Sequence, residues 1–560
     1  MESNNRHYFI FVWNTGCIVL VMKKLSYFGS GNINLPATQM ELFVRNYAQG
    51  QYILSSPSTS YEYTEPIIEK WLHGDIINPT TKKLEHRDVK KHKSIAGIID
   101  YLNRIRIGMT PKGVPLYNFH PYDPAYPTMV VSSKLKPTTN MVAIASFEHW
   151  NDKHPRAGIQ HIYGPVGDCE AETAVLQMGV CISKFPVEYE CLAPYNTRHH
   201  SNSSWDIVVN IDPPGCEDVD DVMGWRQTPI GTEFFIGIVD IASWVPEDSV
   251  LDLEAKRSAQ TIYIDGRAVD PMFPSELSTQ KASLRADGIK RPVVALVFYI
   301  EDNKVVRTMW SILNIAVTVA HTYESVLTDS RISFRLPELL SIITDKPCSA
   351  DPHVWVEQAM ILYNTAVAEI LVKYRQGILR RHAGTKNAEY QRLAETSGNQ
   401  ELAFLGSSAG EYVTASSADT SHAGLNLKTY CHATSPLRRY ADVVNHRWLK
   451  HHVFGFQEPY GVTMTEHLNH RAHVIKQFER LVWFLQHLNQ DGSITTVSGI
   501  VISYNAELKT AKVYVPSWKR VVRASHTSVT VYEPGQSVTI RAFSNLKATS
   551  IYQRVVCTMN

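Results

Sequence analysis

The sequence predicts an α+β multidomain protein in which small OB-type β-barrels flank a mixed α/β domain. Three observations predict it. The chain has 560 residues, room for several domains at ~100–200 residues each. Short β-rich segments punctuated by Gly and Pro run from about 97 to 177 and return after Gly492. Between them, apolar strands give way to stretches with helical spacing.

Composition narrows the class. Hydrophobic residues make up 44% and charged residues 19% of the chain, as in a globular soluble protein. The net charge of +1 excludes a globally basic nucleic-acid binder, so any such surface must be local. The eight cysteines, at 17, 169, 181, 191, 216, 348, 431 and 557, form no C-x-x-C pair. They read as reduced thiols of a cytoplasmic protein, and exclude a zinc site or disulfide framework. No internal repeat or low-complexity tract is present.

Taken in order, the chain opens with the apolar runs Tyr8–Trp13 and Cys17–Met22, split by Asn14-Thr15-Gly16. Each run is too short to span a membrane, so a hairpin is the expectation, with a signal or anchor as the alternative. A start of translation at Met22 would make the run irrelevant. Residues 35–95 carry no clear pattern. Within them Lys82, Lys83, Arg87, Lys90, Lys91 and Lys93 form a basic run, either a solvated face or a phosphate-contacting patch. Gly97 to Gln177 suits a small barrel. Helical spacing is read over Ser311–Asp329, Val354–Arg375 and Met464–Leu488. From Gly492 alternation returns at Val497–Ile502, Lys512–Val515, Val529–Tyr532 and Val538–Ile540, an OB-type barrel.

The stretch that carries chemistry is Asp206-Ile-Val-Val-Asn-Ile-Asp212-Pro-Pro-Gly-Cys-Glu-Asp218-Val-Asp220-Asp221. Ile207–Ile211 reads as a buried strand, and Pro213, Pro214 and Gly215 end it. The acidic residues that follow would repel one another if packed together, and a hard cation removes that conflict. Carboxylates without His or Cys suit magnesium or manganese rather than zinc, and magnesium points to phosphoryl chemistry. A solvated acidic loop is the competing reading. An EF-hand is excluded, because the sixth and twelfth positions from Asp218 are Met223 and Pro229.

Asp212, Asp218, Asp220 and Asp221 match, without a gap, the aspartate signature of the RNB family of 3′→5′ exoribonucleases, which includes RNase II, RNase R and the eukaryotic exosome nuclease. A second block, Tyr430-Cys-His-Ala-Thr-Ser-Pro-Leu-Arg438-Arg439-Tyr440-Ala-Asp442 with His446-Arg447, resembles the family's other signature. The likeness runs from about Asn210 to Leu449. It implies an RNB catalytic domain at 195–490, a cold-shock-type OB domain at 96–194, a C-terminal OB-type RNA-binding domain at 491–560, and an N-terminal region, 1–95, of divergent cold-shock type.

The resemblance further implies a magnesium-dependent (or manganese-dependent), hydrolytic, processive enzyme. It would release nucleoside 5′-monophosphates from single-stranded RNA, as a monomer without a membrane. Asp212, Asp218 and Asp221 would be metal ligands and Asp220 would place the reacting end. Arg438 would stabilise the transition state through its planar fork. Tyr263 and Tyr323 would stack on bases near the 3′ end, and Arg439 would contact RNA or pair with a carboxylate. An ordinary buried tyrosine is the alternative for both tyrosines, for Tyr323 on a helix. His432, His446 and Arg447 read as structural. Lys519, Arg520 and Arg523 would meet phosphates or solvent.

Departures are visible. Ala433 replaces the usual Phe and would open space beside the site. The chain between Tyr323 and Val354 is short and shows no recognisable counterpart of the family segment that supplies the second stacking aromatic, and Glu479 stands in for a family glutamate only loosely. Two other function classes compete. One is a catalytically weak RNB-like RNA-binding protein. The other is a metal-dependent transferase using Asp218-x-Asp220, which would leave the Arg438 block unexplained.

Overall fold

The apolar runs that the sequence marks as strands assemble into a seven-stranded sheet in the computed structural model of the chain. The structure describes residues 9–13, 16–20, 39–48, 50–55, 60–63, 70–103, 107–181, 185, 200–201, 204–382, 385–399, 401–405, 410–460, 464–488, 491–527 and 530–559. The expected boundary near 195 lies outside them, as does Val529; Thr530–Tyr532, expected to form a strand with it, form none. The chain divides into two compact units. One comprises Met1–Val180, Leu393–Glu401 and Phe478–Asn560, and the other Cys181–Arg392 and Leu402–Gln477.

In the second unit the strand order is His200–Ser201, Lys304–Ile315, Arg291–Glu301, Gly231–Val239, Asp221–Thr228, Ile207–Asp212 and Val319–Thr322. The outermost pair at each edge is parallel and the rest are antiparallel. Side chains alternate across the sheet with period two. Phe234, Ile236 and Ile238 enter one apolar core, while Phe235 and Val239 enter the other. Both faces are buried, so these strands read as continuous apolar runs. The helices Arg335–Thr344 and Pro352–Tyr374 cover one face, through Leu336, Leu339, Leu340, Trp355 and Tyr363. The second helix starts where the Asp351 carboxylate accepts from His353 N and Pro352 takes the first turn.

One helical expectation fails. Ser311–Asp329 is not a helix but the end of strand Lys304–Ile315, the strand Val319–Thr322 and a short 3₁₀ turn at Ser325–Thr328. Ile312, Leu313, Ile315 and Val317 are buried at both odd and even positions, so the stretch lacks the strict alternation that marks a strand. The other two helical stretches form, as Pro352–Tyr374 and Thr465–His487.

The first unit holds the expected β-rich segments. Phe9–Trp13 and Gly16–Leu20 pair as an antiparallel hairpin. Residues 40–86 contain a five-stranded sheet that the sequence did not reveal. Ile95–Asp100, Leu116–Pro121, Met129–Ser132, Met141–His149 and Arg156–Pro165 close into a barrel through the parallel pair Val130↔Arg156. Thr495–Asn505, Thr510–Val515, Arg520–Ser525, Ser537–Ser544 and Val555–Met559 close a second barrel through Ser525↔Thr558. Among the described residues no helix is long and apolar enough to cross a membrane.

A buried ion pair joins elements far apart in the chain. Glu172, on the helix Cys169–Val180 after the first barrel, accepts from Arg554 Nε at 2.7 Å and Nη2 at 3.1 Å, with both side chains at most 2% exposed. Burial pushes the Glu172 carboxyl up, and Arg554 opposes the rise. Arg554→Met would strand a buried carboxylate, which typically costs ~3–5 kcal/mol. A clearly lower melting temperature is therefore expected. The double variant Glu172→Met/Arg554→Met should recover most of the loss, because an apolar pair needs no counter-charge. Equal melting of all three proteins would show that the pair contributes nothing.

Candidate active site

Strand Ile207–Asp212 delivers Asp212 at its last position, and strand Asp221–Thr228 begins with Asp221 on the neighbouring strand. The intervening turn needs Gly215, whose φ of +80° suits a residue without Cβ. Residues 282–284 pin the turn from outside. Ser283 Oγ accepts from Val219 N at 3.0 Å and donates to Glu217 O at 2.7 Å, and Leu284 N donates to Val219 O at 3.0 Å. The four aspartates thus sit on a rigid base rather than on a solvated loop.

Each aspartate has a different environment. Asp220 is buried, with Oδ1 accepting from Leu437 N at 2.8 Å and Oδ2 from Arg438 Nε at 3.1 Å. Burial pushes its carboxyl up to about 7, against the pull of Arg438. Asp212 and Asp221 are pushed up by burial and, for Asp221, by the charge of Asp212 beside it. Asp212 Oδ2 is buried with no hydrogen-bond partner among the described residues. Asp218 accepts from the Tyr263 hydroxyl, and Cys216 Sγ lies 3.9 Å from its Oδ1.

Two mutually repelling carboxylates, one with an orphaned buried oxygen, form a donor set that fits a hard divalent cation. Among the described residues, no three His, Cys, Asp or Glu side chains enclose an ion by themselves. The fit is therefore to an ion held by two protein carboxylates and completed by water and phosphate, the habit of magnesium.

Arg438 stands on backbone fixed by segment 259–261. Thr261 N donates to Arg438 O at 3.0 Å and Tyr440 N to Ala259 O at 2.9 Å. Burial alone would lower the guanidinium's pKa, but Asp220, Tyr263 and Asp218 outweigh it and raise it, so the charge is permanent. Its side chain is 46% exposed, and among the described residues Nη1 and Nη2 have no partner. The fork is anchored at the back and free at the front.

Arg439 turns inward, with Nε at 3.2 Å and Nη2 at 2.8 Å from Asp442 Oδ2, the ion-pair alternative anticipated for it. His446 donates Nε2–H to Ala433 O at 2.7 Å, and Arg447 binds Asp252 at 2.8 Å. Ala433 does not open space at the site. It is fully buried in the core beneath the sheet, and its N–H is bound by Asn364 Oδ1. Glu479 lies in the unit of the C-terminal barrel, in the field of Arg520.

Tyr323 is not on a helix. It follows strand Val319–Thr322, whose Thr322 pairs with Asp212, and so it emerges beside the aspartates. Its ring stacks on His353 at 3.9 Å between centroids and 10° between planes. His353 is a residue that sequence reasoning missed. Asp351-Pro352 announces a helix start there, but nothing in the spacing links position 353 to 323.

Fold and site together define an α+β protein with two closed barrels and an aspartate–arginine centre at the strand ends of a buried sheet. The RNB domain model matches residues 203–328 and 329–455 of the chain. Exoribonuclease 2 of Aeromonas hydrophila is 26% identical over 376 residues, covering 53% of this chain and 55% of that protein. Exosome complex exonuclease RRP44 of Homo sapiens is 23% identical over 421 residues, covering 59% and 44%. The chain thus spans about half the length of the curated relatives it matches. Among solved structures, Mycoplasma genitalium RNase R in complex with ribose-methylated single-stranded RNA shares the fold, with a TM-score of 0.65 at 16% identity, over 93% of this chain and 100% of that one. Yeast Ssd1, a pseudonuclease, has a TM-score of 0.56 at 15% identity, over 90% and 81%.

Proposed function

We propose that the chain is a magnesium-dependent, hydrolytic 3′→5′ exoribonuclease that degrades single-stranded RNA processively to nucleoside 5′-monophosphates. The observation that carries this reading is the free fork of Arg438, anchored on Asp220 beside the cation-seeking pair Asp212 and Asp221. The RNA-bound relative of similar fold supports the substrate class.

In this reading Asp212 and Asp221 hold the ion, with Asp218 helping directly or through water, and manganese as the alternative metal. When bound, the ion neutralises phosphate charge and generates a nucleophile from water. Arg438 clamps the phosphate with its outer nitrogens, where charge accumulates in the transition state. Asp220 fixes the direction of that fork. Tyr263, its hydroxyl engaged by Asp218, offers a ring to the 3′ nucleotide. Residues 195–490 are read as the catalytic domain. The barrels at 96–194 and 491–560 and the region 1–95 are read as RNA-guiding parts of a monomeric, cytoplasmic enzyme.

A second reading, an RNA-binding relative with weak catalysis, is favoured by the likeness to a pseudonuclease. End-labelled single-stranded RNA separates the two. Nucleotide monophosphates should appear with magnesium and vanish with EDTA, and a matching DNA strand should be cut poorly because it lacks the 2′-hydroxyl. Binding of RNA without any product would establish the second reading. Rapid 3′ trimming of DNA would overturn the ribonuclease assignment.

The Tyr323–His353 stack has its own expected result. A base–aromatic stack is worth ~1–3 kcal/mol. Tyr323→Ala should therefore lengthen the smallest product while long substrates are still shortened. If the ring only packs against His353 and the core, the variant melts earlier and leaves the same end product. Product length and melting temperature from one preparation decide between the two.

A further inference from the structure

One arginine outside both signature blocks is left unexplained. Arg380, on strand Ile378–Arg381, is half-buried, and its guanidinium lies 4.8 Å over the Tyr412 ring. A Cβ on Gly410 would stand 2.8 Å from Arg380 Nε, so the glycine makes room for the group. The strand position is fixed, because Arg380 N donates to Tyr430 O at 2.8 Å.

Among the described residues this guanidinium has no ion pair and no side-chain hydrogen bond. Glu411, whose charge reaches Arg380, is ion-paired with Arg381. The carboxylate nearest in the signature block, Asp442, is taken by Arg439, and Arg439 Nη1 is left without a partner among the described residues. Burial and the neighbouring charge of Arg439 both pull the Arg380 pKa down, so the two cations repel each other in place.

The positive wall continues toward the aspartates. His432 lies in the fields of Arg439, Arg380 and Arg438 at once, and burial with those charges keeps it neutral. Arg438 in turn is bonded to Asp220. A half-buried guanidinium without a counter-ion is costly, and an anion with several oxygens relieves that cost. A row of such donors beside a phosphate clamp matches the repeat of a nucleic-acid backbone.

We propose that Arg380, with the free edge of Arg439, binds a second phosphodiester of the RNA, next along the chain from the one held by Arg438. The inference rests on the exoribonuclease reading for its ligand, but not on cleavage. It makes Arg380 a substrate-binding residue that acts in register and affinity.

The test is binding of 5′-labelled single-stranded RNA to the 560-residue chain in EDTA, followed by fluorescence anisotropy over a salt series. Arg380→Met should weaken binding about tenfold, the effect of one charge-assisted contact. Its log–log salt slope should be shallower by about 0.7, the value for one phosphate on a single strand. Arg380→Lys should restore the slope while recovering only part of the affinity, because the fork is lost. RNAs carrying one neutral methylphosphonate, scanned along the 3′ end, should reveal a linkage whose neutralisation weakens the native chain but not Arg380→Met. Should Arg380→Met fail to fold, Arg380→Lys and the scan on the native chain still decide. Native slope and affinity in Arg380→Met, or a scan without such a linkage, would overturn the inference and leave Arg380 a packing partner of Tyr412. No RNA binding by the native chain would overturn the proposed function along with it.

Discussion

Asp220→Asn is expected to reduce RNA degradation by about two to three orders of magnitude while single-strand binding survives. The carboxylate presents two acceptors to two donors, Leu437 N at 2.8 Å and Arg438 Nε at 3.1 Å. An asparagine keeps one acceptor and turns an N–H₂ donor toward the other partner. The main-chain donor cannot move, so Arg438 must swing away. The fork then loses the direction that makes it complementary to a transition state. RNA affinity is spread over many phosphate contacts and should hold. The substitution also relieves a buried carboxyl that burial has pushed up to about 7, so the fold should lose little stability. Single-turnover rates, RNA binding in EDTA and melting temperature on the same preparation make the comparison. Near-native cleavage would remove Asp220 from the mechanism. Loss of binding along with cleavage would make it a fold residue.

The aspartate cluster was legible because its residues are contiguous and follow an apolar strand broken by Pro213-Pro214-Gly215. Their separate duties were not legible. Four aspartates look alike in sequence, and only the 218-residue contact to Arg438 distinguishes Asp220 as the anchor of the fork. Both barrels could be read because alternation and turn residues recur at short intervals. The sheet within residues 40–86 could not. Its strand Ile76–Asn78 has three residues, and Lys83–His86 is exposed throughout, so neither carries an apolar period. The reverse failure occurred at Ser311–Asp329, where buried residues at both odd and even positions break the alternation and the strand Val319–Thr322 is only four residues long. His353 illustrates a third limit. Stacking on Tyr323 is a relation between two chain segments that share no pattern, so no one-dimensional signal announces it.

Arg438→Lys separates charge from geometry at the same centre. Lysine keeps the positive charge but replaces a planar fork with a single ammonium on a flexible stem. Arginine here uses Nε to hold Asp220, leaving Nη1 and Nη2 without partners among the described residues. An ammonium cannot do both. If it binds Asp220 it has no second planar edge for phosphate, and if it reaches phosphate it leaves Asp220 buried and unpaired. Either choice removes an interaction that grows as charge accumulates on the phosphate oxygens. Turnover should therefore fall by about 10²–10³, while the dissociation constant for RNA changes by less than about tenfold. Steady-state turnover and EDTA binding, measured side by side, give the split. A parallel loss of both would mark Arg438 as a binding residue shared by ground and transition states. Native turnover in Arg438→Lys would move the transition-state role elsewhere. Arg439 is a poor substitute, since Asp442 already holds its Nε and Nη2.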